Sequence, residues 1–245
     1  MNTQELIDRV KLRLDDKITP RVFKDADILI ALNDAQNEFA LRTLCLFDGE
    51  EEIAVTAQSP WAVLPAGTCW VIAGWLSSGT PLRLVSQHEL EFGYFELNGV
   101  ETTARHSNWR NTEGIPTFLV TDLGPQTVRL VPRPVVGDSL FIERYRLPTT
   151  TLTLAVNPEI ATPYHSDLVI GALAYLFAVP DVETSNKETA LLNRNAWENR
   201  LQIAEQLLQT ALRVRMRAIP PPPGTAFVPP LGNTIGAAQN VNTET

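Results

Sequence analysis

Apolar positions in the first 47 residues recur with a helical period. Leu6, Val10 and Leu14 follow at intervals of four, and Ile28, Leu32, Ala35 and Phe39 at four, three and four. Each spacing draws one apolar stripe along a helix, so each helix needs another element to pack on. Asn2 and Glu5 stand at capping-box spacing, with Asn in place of the usual Ser or Thr. The segment "DDKITPR" breaks the pattern, and Lys24 or Asp25 opens the second helix. Asp25 and Asp27 then fall in its first turn, where the helix dipole favours a carboxylate.

From about Asp48 the period changes. "EEIAVTA", "CWVIAGWL", "PLRLVS", "PTFLVTD", "QTVRLVP" and "DSLFIERYRL" are short runs rich in Val, Ile, Leu and aromatics, many of them separated by Gly, Pro, Asn or Asp. These are strand signals, and "TDLGPQT" between two of them reads as a hairpin loop. The stretch "SQHELEFGYFELNG" is less strand-like, and Ser86 is placed to cap a short helix there. Many short strands over residues 48–157 predict an antiparallel sandwich or barrel-like region.

Helical signals return after Pro158. Thr162 is read as a cap with Pro163 at the first helical position. Leu168, Gly171, Ala172, Tyr175 and Leu176 carry that helix to Pro180, and it is apolar nearly all round. A last helix spans roughly Lys187 to Ala218, about 45–50 Å long. Trp197, Leu201, Ala204, Leu208 and Leu212 lie on one of its faces. Helices, then strands, then helices make an α+β protein. The expected architecture is one helical bundle from residues 1–47 and 158–218, an inserted β domain over 48–157, and an extended arm over 219–245.

Composition narrows the function. Of 245 residues, 44% are hydrophobic and 20% charged, ordinary for a globular chain, and the net charge is −8. Residues 48–157 hold twelve acids against seven bases, most of that excess. A sequence-reading DNA binder would show a basic face; an acidic surface instead repels phosphate. Cys45 and Cys69 make no disulfide framework and lack metal-ligand spacing, so both read as buried small hydrophobes. The charged start "MNTQELIDRVK" is unlike a signal peptide. The longest apolar run, Leu168 to Val179, falls short of the roughly 20 residues of a bilayer span. A soluble intracellular protein without a membrane segment is expected.

Candidate chemistry is thin. "YHSD" puts His165, Ser166 and Asp167 side by side, but neighbours on a helix point to different sides, so a hydrolase triad does not follow. "HELEF" begins like a zincin motif, yet Phe92 stands where the second His would be. Glu50, Glu51 and Glu52 read as a solvated edge at the mouth of a strand. Phosphate-loop and nucleophile-elbow signatures are absent, and neither cofactor nor metal is expected. Four tryptophans, Trp61, Trp70, Trp75 and Trp109, suggest a second reading: a β-rich recognition or tail module that binds a glycan or partner protein. Trp70 reads as core there and Trp109 as the exposed candidate.

The chain end is distinctive. Arg213, Arg215 and Arg217 lie where cations complement the helix dipole, and they also suit an acidic partner or DNA. Pro220, Pro221, Pro222 and Pro223 then stop the helix. Residues 219–245 contain six prolines and one charge, Glu244. Proline-rich chain loses little entropy when held extended. With Phe227, Val228 and Leu231 as apolar anchors, the segment reads as an arm that docks on another chain.

The order of these parts resembles the head–tail adaptor proteins of tailed bacteriophages, the connector or tail tubular A-like family. "ELIDRVKLRLDD" and "FKDADILIALNDAQNEFALRT" are similar to its opening helices. "WAVLP", "PLRLVSQHEL", "GIPTFLVTD", "LVPRP" and "FIERYRLP" resemble its β insertion, and "YHSDLVIGALAYLF" and "AWENRLQIAEQLL" its closing helices. The resemblance runs in order to about Arg217. It implies a non-enzymatic structural protein of the virion neck, made in the host cytoplasm. It implies a homo-oligomeric ring, commonly of twelve copies, between the portal protein and a tail or nozzle protein. It implies that DNA passes through the lumen unread during ejection. The resemblance also implies that C-terminal segments reach the portal, which makes Arg213, Arg215, Arg217, Pro220, Pro221, Pro222, Pro223, Phe227, Val228 and Leu231 the candidates for a portal- or neighbour-binding arm. The β part extends toward the tail, with Trp109 and Arg110 as candidates for that face.

Overall fold

The computed structural model describes residues 1–14, 23–92, 94–97, 100–103, 109–124, 126–178 and 187–218. The chain divides into two compact units, Met1–Leu208 and Gln209–Thr245. Of the second, the described part is the end of a helix.

Five α-helices are described: α1 (Thr3–Leu14), α2 (Asp25–Thr43), α3 (Gln87–Phe92), α4 (His165–Ala178) and α5 (Lys187–Ala218). Local chemistry sets their starts. At α1 the Glu5 N–H donates to Asn2 Oδ1 at 2.8 Å and the Asn2 N–H to Glu5 Oε2 at 3.3 Å, the reciprocal bonds of a capping box. At α2 the Lys24 N–H donates to Asp27 at 2.9 Å. Ser86 caps α3, accepting the Glu89 N–H at 3.1 Å while Glu89 accepts the Ser86 N–H at 2.7 Å. One start differs from expectation. Thr162–Tyr164 form a 3-10 turn capped by Ala161 and without a side-chain cap bond, and α4 begins at His165. The Tyr164 N–H closes on the Ala161 carbonyl at 3.0 Å, so Thr162 lies inside the turn.

The β region is mixed. A three-stranded antiparallel sheet runs β1 (Phe47–Val55), β11 (Asp138–Arg146), β3 (Thr68–Leu76). A four-stranded sheet runs β2 (Trp61–Val63), β9 (Thr127–Val131), β8 (Phe118–Val120), β4 (Arg83–Val85). The strands β8 and β9 pair antiparallel around the expected hairpin loop. The pairs β4–β8 and β10 (Arg133–Pro134) with β7 (Glu113–Gly114) are parallel, which a purely antiparallel reading did not foresee. Parallel neighbours need a long crossover, and residues 86–117 supply it, carrying α3 and the hairpin β5 (Tyr94–Leu97), β6 (Val100–Thr103). No described sheet closes into a barrel.

Buried side chains fall into three clusters. One joins α1, α2, α4 and α5 through Leu6, Leu32, Phe39, Leu168 and Trp197, and also takes in Leu152 and Ile160 from the connection before α4. A second joins the two larger sheets through Ile53, Val71, Leu119, Leu130 and Ile142. The third gathers Leu90 of α3, Trp109, Phe118 and Val131. Among the described residues no helix is long and apolar enough to cross a membrane.

Candidate functional site

Trp109 is not an exposed binding platform. It is 4% exposed, packed in the cluster around α3. Its ring is covered by two guanidinium groups, Arg110 at 4.8 Å and Arg129 at 5.0 Å from the centroid. Arg129 also lies 5.2 Å from the Trp61 ring, its antiparallel partner across β2 and β9. A ring face attracts cations, and more so when water is excluded. Arg110 is paired with Glu91. Arg129 instead donates to the Arg110 carbonyl at 2.6 Å. Burial, and then the Arg110 charge, lower its pKa from the ordinary value. Trp70, expected in the core, is 65% exposed. Along β3 its neighbour Val71 turns inward, and side chains alternate on a strand, so Trp70 faces out.

His165 is buried, with Nε2 2.8 Å from the Ile160 carbonyl, while Ser166 is exposed, so they face different surroundings. The His88 ring lies 4.7 Å from that of Phe92. Glu50, Glu51 and Glu52 sit within β1 rather than at its mouth. The strand bulges between Asp48 and Glu51, with Glu50 at φ 61°. The bulge turns Glu51 toward Arg144, and Glu52 accepts the Ser139 hydroxyl at 2.6 Å. Cys45 and Cys69 are free and half-buried rather than buried, and burial pushes both thiols up. Arg213, Arg215 and Arg217 lie in the last turns of α5. Pro220 to Pro223, Phe227, Val228 and Leu231 lie outside the described residues. Among the described residues no group of three or more His, Cys, Asp or Glu is gathered to hold a metal.

Two polar networks went unread in the sequence. The first follows β11. Arg144, its side chain 5% exposed, pairs with Asp48 at 3.1 Å and Glu51 at 3.5 Å and donates to Thr68 Oγ1 at 2.8 Å. Arg146 bridges Asp48 at 2.7 Å and Glu159 at 2.5 Å. Glu159 also accepts the backbone N–H groups of Thr149 and Thr150 at 2.8 and 2.9 Å. Burial alone would raise the Glu159 pKa, but the bonds from Arg146, Thr150 and Thr149 outweigh it and hold the carboxyl down to about 2. This network ties the last long strand to the connection that leads into the helical core. The second centres on Glu38 of α2, which accepts from Tyr175 at 2.8 Å, Trp197 Nε1 at 2.7 Å and Arg194 at 3.0 Å. It clamps α2, α4 and α5. Burial, then Glu38, pushes the Tyr175 hydroxyl up to about 12. The alternating arginines of "ERYRL" were the available signal for the first network. Glu38 had none, since its partners come from distant helices.

One open groove of about 360 Å³ lies in the β region, lined mainly by apolar residues including Val55, Leu76, Ile115, Pro116, Val135 and Val136. Ile115 and Val136 are largely exposed. Together these features offer braced elements and apolar contact surface.

A family model described as SU10 adaptor protein matches residues 1–222. No curated protein matches the chain.

Proposed function

Because the chain belongs to the SU10 adaptor protein family, a family of phage head–tail adaptors, we propose that it forms a ring that joins the portal protein to the tail. In this reading the ring holds twelve copies, and its lumen lets DNA pass during ejection. Residues 1–47 and 158–218 act as a helical bundle and 48–157 as an inserted β-sandwich domain. Residues 219–245 form an arm on the portal or a neighbouring subunit, with Arg213, Arg215 and Arg217 at its root. The β domain turns toward the tail or nozzle protein, with Arg110 near that face.

The observation that carries the reading is the family match across residues 1–222. Two further features support it. The helical and β parts have separate cores, so each can present its own surface to a different partner. The acid surplus of residues 48–157 suits a wall along which DNA moves without sticking. The test is direct imaging. Portal particles mixed with the purified chain should gain a ring on one face in electron micrographs. Portal particles left unchanged at saturating chain would refute the proposal.

A further inference from the structure

The three-stranded sheet of β1, β11 and β3 has two unlike faces. Ile53, Val71, Leu140 and Ile142 point inward and belong to the core shared with the second sheet. Side chains alternate along a strand, and pairing across the strands sets the outward ones in rows. One row is Phe47, Tyr145 and Trp70, with the first two rings 5.8 Å apart. Another row brings Phe141 beside Trp75, stacked at 6.2 Å and 12°. Trp70 is 65% exposed. A large ring held on a sheet and left open to water is the kind of side chain that anchors protein interfaces.

Glu143 stands between the aromatic rows. Tyr145 and Phe141 flank it on β11, each about 7 Å away along the strand. Its partner on β3 is Ala73, and the bulge of β1 brings Gly49 and Glu50 to its other side. Ala73 and Gly49 are small, so the carboxylate sits in a dip between taller rings. Glu143 is half-buried, and among the described residues no ion pair or side-chain hydrogen bond engages it. The arginines next along β11 turn the other way. Arg144 is buried against Asp48 and Thr68, and Arg146 joins Asp48 to Glu159. No Lys or Arg occupies an outward position on these three strands, whereas Glu52 lies in the row of Phe141.

This combination selects an occupant by its chemistry. Ring faces attract cations, and a guanidinium both stacks on a ring and pairs with a carboxylate. Phosphate is repelled by the carboxylates. A wholly apolar segment would bury Glu143 without compensation. We infer that the outer face of this sheet docks an arginine-bearing segment of a partner protein, with the guanidinium on Glu143 and the stem lying between the Trp70 and Trp75 rows. The inference goes beyond the ring reading and stands without it.

The test uses the full-length chain labelled with fluorotryptophan, its fluorine resonances assigned by single Trp→Phe replacements. The probe is the peptide Ac-Ser-Arg-Ser-Arg-Ser-NH2, with a counterpart carrying Gln in place of Arg. The arginine peptide should shift the Trp70 and Trp75 signals saturably and leave that of the buried Trp197 in place, and the Gln peptide should shift none. Glu143→Gln should weaken binding about tenfold. Trp70→Ala, at an exposed site, should weaken it to a similar extent, read from Trp75. Circular dichroism checks the fold of both variants. Equal binding of the Gln peptide, wild-type affinity in either folded variant, or no shift at all would overturn the inference. Trp70 and Trp75 signals that move on diluting the chain alone would assign the face to a second copy instead. The same signals moving with cellohexaose but not with the arginine peptide would assign it to a glycan. Either result would overturn the basic segment as the occupant.

Discussion

At the scale of single residues, Glu159 is strongly tuned and has an obvious structural task. Its carboxylate binds Arg146 and four donors of Thr149 and Thr150, and so fixes the turn that leaves β11 for the helical core. A carboxyl held at about 2 when folded, against an ordinary value of 4.5, stabilises the fold above the unfolded pKa. That stabilisation is lost as pH falls from 4.5 through 2. Direct conversion of the shift is about 3 kcal/mol, and screening at a partly exposed site leaves about 1–2 kcal/mol. Glu159→Gln should therefore lower unfolding free energy by that amount at pH 7 in urea titrations. The gap between variant and wild type should shrink as pH falls through 4 toward 2. A gap independent of pH would contradict the assignment. Residue-level detail of this kind was the least readable part of the sequence. Arg144 and Glu51 meet across 93 positions, and the polar sequence around Trp109 gives no sign that Arg129 and Arg110 cover its ring.

At the scale of elements, period and capping chemistry were strong guides. The capping pair at Asn2 and Glu5, the opening of α2 after Lys24, the Ser86 cap and the span Lys187–Ala218 all follow from local spacing, and the structure has each. Sheet pairing did not, because the parallel partnership of β4 with β8 depends on a crossover whose path no local pattern specifies. The close approach of helices was equally hidden. Gly171 of α4 lies where an added Cβ would come 2.8 Å from the Ala35 Cβ of α2 and 3.0 Å from two ring atoms of Trp197 in α5. Two effects compete on replacing it with Ala. Helix propensity favours Ala by about 1 kcal/mol, and overpacking costs about 1–3 kcal/mol. The clashing atom of Ala35 is fixed to the backbone and cannot swing aside, so the steric cost should win. Gly171→Ala is expected to destabilise the chain by about 1–2 kcal/mol, read as a lower melting temperature. A raised melting temperature would show that α2 and α4 separate freely.

At the scale of the whole molecule, the proposed arm would put folding and assembly in different parts of the chain. Among the described residues, every member of the three buried clusters lies at or before Ala204. Beyond Ala218 the sequence carries a single charge, Glu244, and six prolines and the Phe227–Val228–Leu231 group equip it for extended contact. If residues 219–245 act as that arm, a chain ending at Ala218 should unfold within about 0.5 kcal/mol of wild type, as changes away from buried features do. Its assembly should respond differently. If residues 219–245 dock on the portal or on a neighbour, each lost arm removes contact area from a repeated interface, and the effect multiplies around a ring. The truncated chain should keep its melting temperature and circular dichroism yet require about tenfold or more higher concentration to occupy portal particles. Occupancy equal to wild type would show that the arm takes no part in joining them. A large fall in melting temperature would instead mean that the arm belongs to the fold, and the separation of folding from assembly would fail with it.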